Sequence, residues 1–441
     1  MHRIILILTL ILVLLNSCRK DSDERAPQIS ILNPAEFSNF DIGEEIIIQI
    51  QVSDDQNLEY VRVDITNASQ SRVAGPSEYT NFSGTSDSRS IGINVTNSQL
   101  PSGIYFIRAV VGDGENERVV FREISLSEIP LKLNRIYAFR ALGPNSTTVD
   151  SLNRQSNNWV SSASVGIGLG KVTVNSASNE IQFLSADGAE LELRDGLVMD
   201  LIQSHSYPSG GFSNPYWRVV TLNENTQRYY CASSDGKIRT YRAGGIPDLT
   251  IETGINSIPS SLGIVNEYLL LEQEVAGPGL DLITTYFTES GTYLQSDVIE
   301  ADLIQILQFT SNKALLFGNL EDGTGKVWIF DILANGYSSA LSLSSYSNIR
   351  TAIKANGNQY ILADEMGIRK FELSSGGTLN NGGQLLAGDY TQLQYDKLGG
   401  GIYALNAGTG QIDIVNPFDL TIIESILLPS NTQNFGLLYN R

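Results

Sequence analysis

Cysteine and histidine are almost missing from this chain: of 441 residues, two are cysteine and two are histidine. Cys18 sits beside a greasy leader and Cys231 in a distant strand-like run, so a disulfide framework is excluded. His2 falls in the leader, which leaves His205 for the body of the chain. A zinc site built on two or three histidines is thereby excluded, and a histidine-dependent triad must use His205 or not exist. Positive charge is scarce as well. Against 48 Asp and Glu stand 29 Lys and Arg, for a formal net charge of -19. Such a surface repels phosphate backbones, which argues against nucleic acid. A sugar, a metal ion or a basic protein patch fits the sign; so does the plainer reading that acidity keeps the chain soluble. Long apolar runs are missing too. Residues 4–15, "IILILTLILVLL", would rise about 18 Å as helix, too short for a ~30 Å hydrocarbon core.

What is present is enough apolar material for real cores, 41% against 17% charged, in a chain long enough for two or more domains. The short basic start and apolar stretch read as a secretory signal. The stretch Leu15-Asn16-Ser17-Cys18 then resembles the lipobox of bacterial lipoproteins, with Asn16 a less usual residue there. The resemblance implies that residues 1–17 are a signal peptide and that Cys18 is acylated, palmitate included, and holds the chain to a membrane. A plain signal peptide with an accidental cysteine is the alternative. Residues 18–26 form an acidic tether. Its pairs Lys20-Asp21 and Asp23-Glu24 are similar to the cluster behind the cysteine of Bacteroidota-type surface lipoproteins, which implies an outer-membrane protein facing the cell exterior. Charges that merely keep a linker extended are the simpler account.

The expected fold is all-β. Residues 27–127 carry alternating runs: Ile46, Ile48, Ile50 and Val52; Val61, Val63 and Ile65; and the long "GIYFIRAVVGD" from Gly103. Six or seven short strands in about 100 residues predict an immunoglobulin-like sandwich held by burial alone. "VSDDQNLEYVRVDI" and "LPSGIYFIRAVVGDG" resemble bacterial Ig-like and PKD-like modules, in which Tyr105 falls where a corner tyrosine is often found. Asp54 and Asp55 admit a calcium reading, Ca2+ being the one cofactor considered, but a turn between strands is preferred.

From residue 131 onward a strand, a polar glycine-containing turn and a second strand recur. Tyr137, Phe183, Tyr230, Leu270, Leu316, Ile361 and Tyr403 mark the copies at spacings of 46, 47, 40, 46, 45 and 42 residues. That period in an all-β chain predicts four-stranded blades. Seven copies predict a seven-bladed β-propeller over 131–441 that resembles YVTN- and WD40-like propellers, without their strict signatures. No room exists for an inner strand before Arg135, and "NFGLLYNR" ends the sequence without a hairpin, so the C-terminal strand is expected to close the first blade.

Numbering blade strands from the axis outward, turns between the second and third strands share an end with the connections between blades. Those turns carry Asp187, Asp235, Glu274, Glu321, Asp322, Asp364 and Glu365, a ring of carboxylates that suits a cation, a basic protein or a polyol. Asp beside Gly is also what tight hairpins require. The connection "SHSYPSGGFSNPYW" adds Tyr207, Phe212, Tyr216 and Trp217, aromatics suited to sugar rings or a protein partner, although Tyr216 and Trp217 equally fit the start of a packed inner strand. His205 lies in the same stretch. "GIGLGK", residues 166–171, lacks the ending of a phosphate loop and reads as a strand edge; Cys231 reads as a buried apolar residue. No catalytic residue and no metal ligand is singled out. The resulting expectation is a lipid-anchored surface binding or scaffold protein whose propeller face takes a glycan, a peptide or an outer-membrane protein. A structural subunit of an envelope or transport complex is the first alternative, and a carbohydrate-active enzyme using acids of that face is the second.

Overall fold

The computed structural model describes residues 25–440, apart from 80–83, 98–99, 129–131, 154–157, 254–256, 276–280, 342–346, 375–376, 378 and 381–383. The expected signal segment, Cys18 and most of the expected tether lie outside the described residues. No α-helix occurs among those described, and none of their helical turns is long and apolar enough to cross a membrane. The chain divides into two compact units, Met1–Pro130 and Leu131–Arg441.

In the first unit the alternation of "EIIIQIQVS" becomes the strand Glu45–Ser53, with Ile46, Ile48, Ile50 and Val52 buried and Ile47 left 43% exposed. This strand is the middle of a three-stranded sheet, between Gln28–Asn33 and Ser86–Asn94. A five-stranded sheet runs in the order Ser38–Asp41, Glu117–Ser127, Gly103–Gly112, Tyr60–Thr66, Arg72–Tyr79. Its first pair is parallel and the rest antiparallel. Val61, Val63, Ile65, Ile107 and Val111 meet the isoleucines of the smaller sheet in one core, so burial holds the sheets without a cysteine pair. Two strands exceed the clear sequence signals, because "SNFD" and "RVAGPSEY" carry little apolar alternation. Asp54 Oδ2 accepts the backbone N–H groups of Gln56 and Asn57, and Asp55 pairs with Arg25, so this acidic pair serves a turn.

The second unit is propeller-like. It holds seven antiparallel sheets of four strands, the sixth with its outer strand in two pieces. Among the described residues no strand ladder joins one sheet to the next. The inner strands (Thr432–Tyr439, Leu169–Asn175, Trp217–Asn223, Ser257–Val265, Asp302–Gln308, Thr351–Lys354, Tyr390–Tyr395) instead pack each against the next, and the last against the first. All seven repeat-marking residues, Tyr137 to Tyr403, fall on second strands and are buried. Second strands such as Glu180–Ser185 and Arg228–Ser233 are buried along their whole length, because neighbouring sheets cover both faces and period two disappears. The first sheet joins the two ends of the unit: Thr432–Tyr439 pairs antiparallel with Leu133–Gly143, placing Gly436 opposite Tyr137.

A register feature repeats around the unit. Where each inner strand begins, one extra residue bulges against the second strand: Gly170, Arg218, Ser260, Ile304, Thr391 and Gln433 in six of the seven sheets. A bulge sharpens local twist, so the same bend recurs at the same height.

Candidate functional site

The turns between second and third strands do emerge at one end with the inter-sheet connections, but their carboxylates differ in kind. Asp187 is exposed and accepts Asn214 Nδ2 at 3.2 Å. Glu321, Asp322 and Glu365 are exposed too; Asp322 caps the Thr324 N–H and Glu365 accepts Asn348 Nδ2. Asp235 and Asp364 do not belong to an open acidic ring. Asp364 is fully buried and accepts the Met366 and Gly367 N–H groups and Arg369 Nε at 2.9 Å. Asp235 receives Arg239 through both oxygens, Ser233 Oγ at 2.6 Å and the Tyr216 hydroxyl at 2.9 Å. Burial alone would raise Asp235, but these donors outweigh it and hold the carboxyl below its usual range.

The aromatic connection is corrected in the same way. Trp217 is 1% exposed, opens the inner strand and donates Nε1–H to Glu190 O at 3.0 Å. Tyr216 is buried beside it, edge to face, and burial plus its bond to Asp235 pushes its hydroxyl up to about 12. Both are core residues, because the space between the second and third sheets must be filled. Tyr207 is half-buried, under the Arg239 guanidinium at 4.4 Å and bonded to the Tyr241 hydroxyl at 2.6 Å. Phe212 alone of the four is exposed. His205 belongs to the outer strand Leu201–Ser206 rather than the loop, with Nε2 bonded to Gly245 O at 2.9 Å. Among the described residues no three His, Cys, Asp or Glu side chains gather as a metal site. Cys231 is fully buried beside Gln182.

The concave site lies at the other end of the second unit. A cavity of about 760 Å³ is enclosed by the inner strands, with Val172, Gln305, Thr351 and Leu393 in its walls. It reaches the turns between inner and second strands, at Ser176, Glu224 and Lys397. These turns share one chemistry. Asn175 Oδ1 accepts the Ala177 and Ser178 N–H groups, Asn223 Oδ1 those of Asn225 and Thr226, and Asp396 Oδ1 that of Leu398. Each turn closes on a left-handed residue: Asn179 (φ 55°), Gln227 (φ 54°) and Gly400 (φ 69°). Glu224, in the third sheet, forms an ion pair with Lys397, in the seventh, so the pair spans the mouth between sheets that are three steps apart around the cycle. Lys354 also lines the cavity; its Nζ lies 5.7 Å from the Tyr360 ring centroid, and burial lowers its pKa. Each inner strand ends its sheet, leaving one edge of backbone N–H and C=O groups without a strand partner. Sequence reasoning placed the chemistry at the opposite end and missed this cavity. Of the Lys and Arg residues of the inner strands, Lys354 alone lines the cavity, and one lysine is too slight a signal to have found it.

No family model matches the chain, and no curated protein does. Solved structures are similar to it. A functionally unknown protein from Desulfotomaculum acetoxidans DSM 771 is 10% identical with a TM-score of 0.52, over 70% of this chain and 100% of that one. The Cps50 (Swd1) beta-propeller domain of Myceliophteria thermophila is 10% identical with a TM-score of 0.46, over 59% and 86%. A quinonprotein alcohol dehydrogenase-like protein from Bacteroides thetaiotaomicron is 12% identical with a TM-score of 0.44, over 90% and 96%. At 10% identity the likeness to the first is one of fold alone.

Proposed function

We propose that this chain is a lipid-anchored surface binding protein: an immunoglobulin-like spacer carrying a seven-bladed β-propeller, whose axial cavity takes the ligand. The observation that carries the reading is the cavity of about 760 Å³, ringed by inner strands with unpartnered backbone edges and mixed apolar and polar walls. The seven-bladed reading is supported by seven sheets whose inner strands pack in a closed cycle. The immunoglobulin-like reading is supported by three strands facing five, and by the Tyr105 hydroxyl bonding back to Pro101 O at 3.0 Å, as a corner tyrosine does. The lipid anchor rests on the lipobox at Cys18 and outer-surface display on the acidic tether. We assign the cavity binding and no reaction.

The test is thermal unfolding of the purified protein against a panel of neutral and acidic sugars, beside a Thr351→Trp variant that fills the cavity. A ligand raises the melting temperature of the parent and not of the variant. A variant that still responds places the site elsewhere. One observation favours the second reading, a subunit of an envelope complex. Ile422, Ile423 and Leu427 of an outer strand, with Phe418 in the turn before it, are exposed apolar residues of the rim. Stoichiometric co-purification of a membrane protein in mild detergent, lost on Ile423→Lys, is the result that reading requires.

A further inference from the structure

We propose that the axial cavity binds a sugar bearing one acid group, held by Lys354 and by Lys397 once the Glu224–Lys397 pair across the mouth opens. The inference rests on the reading of this cavity as the binding site and names its ligand class. Its starting point is an inversion of charge. The whole chain has 48 acidic and 29 basic residues. The seven inner strands reverse that balance, with Lys171, Arg218 and Lys354 against Asp302. Around the cavity itself, Lys354 and Lys397 stand against Glu224.

The three charges are not equally committed. Lys354 Nζ meets a neutral carbonyl, Gln308 O at 3.5 Å, and the Tyr360 ring, and pairs with no carboxylate among the described residues. A partly surrounded ammonium without a counter-ion is where an incoming anion gains most. Lys397 has its counter-ion, but the pair is 65% and 66% exposed, and pairs so exposed are weak. A ligand acid group can therefore replace Glu224 at Lys397 without breaking a strong contact. Glu224 then acts as an internal competitor that holds Lys397 when the cavity is empty. The remaining lining suits a sugar ring. Val172, Ile353 and Leu393 offer apolar faces to ring C–H groups, and Gln305 and Thr351 offer hydrogen bonds to hydroxyls.

The experiment is isothermal titration of the full-length protein with glucose, glucuronate and glucose 6-phosphate, which share a ring and differ in the acid group. At least one acid binds about tenfold tighter than glucose, and the two arms tell carboxylate from phosphate. Lys354→Gln and Lys397→Gln each remove most of that preference, while Glu224→Gln tightens the acid and leaves glucose unchanged. Raising the salt concentration weakens the acid alone. Equal binding of all three probes overturns the charge assignment and leaves the cavity a binding site. An acid preference that both lysine variants retain overturns the assignment as well. If none of the three binds, the inference is overturned, while the reading of the cavity as a binding site is decided by the thermal panel and the Thr351→Trp variant.

Discussion

Glu272 is an acid placed where water barely reaches it. It is 1% exposed, on the second strand of the fourth sheet, with the Leu303 N–H and Ser260 Oγ as donors. Burial dominates over those donors and raises its pKa from 4.5 to about 8. The sign follows. Below pH 4.5 both folded and unfolded chains hold the proton. Between 4.5 and 8 the unfolded chain releases it first, so folding stability falls as pH rises, by up to about 5 kcal/mol from this group. Glu272→Gln flattens that slope, as urea denaturation at pH 5 and pH 8 checks; a parent and variant with the same slope remove Glu272 as its cause. Trp217 is the other residue with a large expected effect. Truncation to alanine costs about 3–5 kcal/mol, read from the denaturation midpoint. Neither environment was legible in sequence. Asp-Gly at 235 announced a hairpin correctly, yet its carboxylate faces inward because Arg239 follows on the next strand, as Arg369 does for Asp364.

Elements were read more easily than side chains. The period of the second strands is visible because each must be apolar on both faces, and the closing role of the last strand follows from counting hairpins. The inner-strand bulges were not legible, since an extra residue such as Arg218 or Gln433 leaves no mark on composition. Nor was the end of the unit that holds the cavity. The Asx-capped turns around its mouth are separately testable. Asn223→Ala removes the acceptor for two backbone N–H groups and costs about 1 kcal/mol, measured by chemical denaturation. Deleting residues 432–439 is far more severe. It leaves Leu133–Gly143 without its neighbour and strips Phe435, Leu437 and Leu438 from two cores. The truncated protein is expected to lose its cooperative melt by circular dichroism; unchanged melting would contradict closure by this strand.

At the scale of the whole molecule, net charge and anchoring belong together. A chain of net charge -19 is not drawn to an anionic bilayer by its surface, so the anchor proposed at Cys18 would work by lipid and not by charge. Cys18→Ala is expected to move the protein from the membrane to the soluble fraction on centrifugation, and a variant that still sediments refutes the anchor. The pairing of Gly436 with Tyr137 has a different consequence, in time rather than in space. Bringing together residues about 300 apart carries an entropy cost of roughly 5 kcal/mol that no local contact can offset early. Three strands of the first sheet pair locally, but the sheet is not complete until Thr432–Tyr439 has been made. Until that moment the second unit has an open seam and no complete fold.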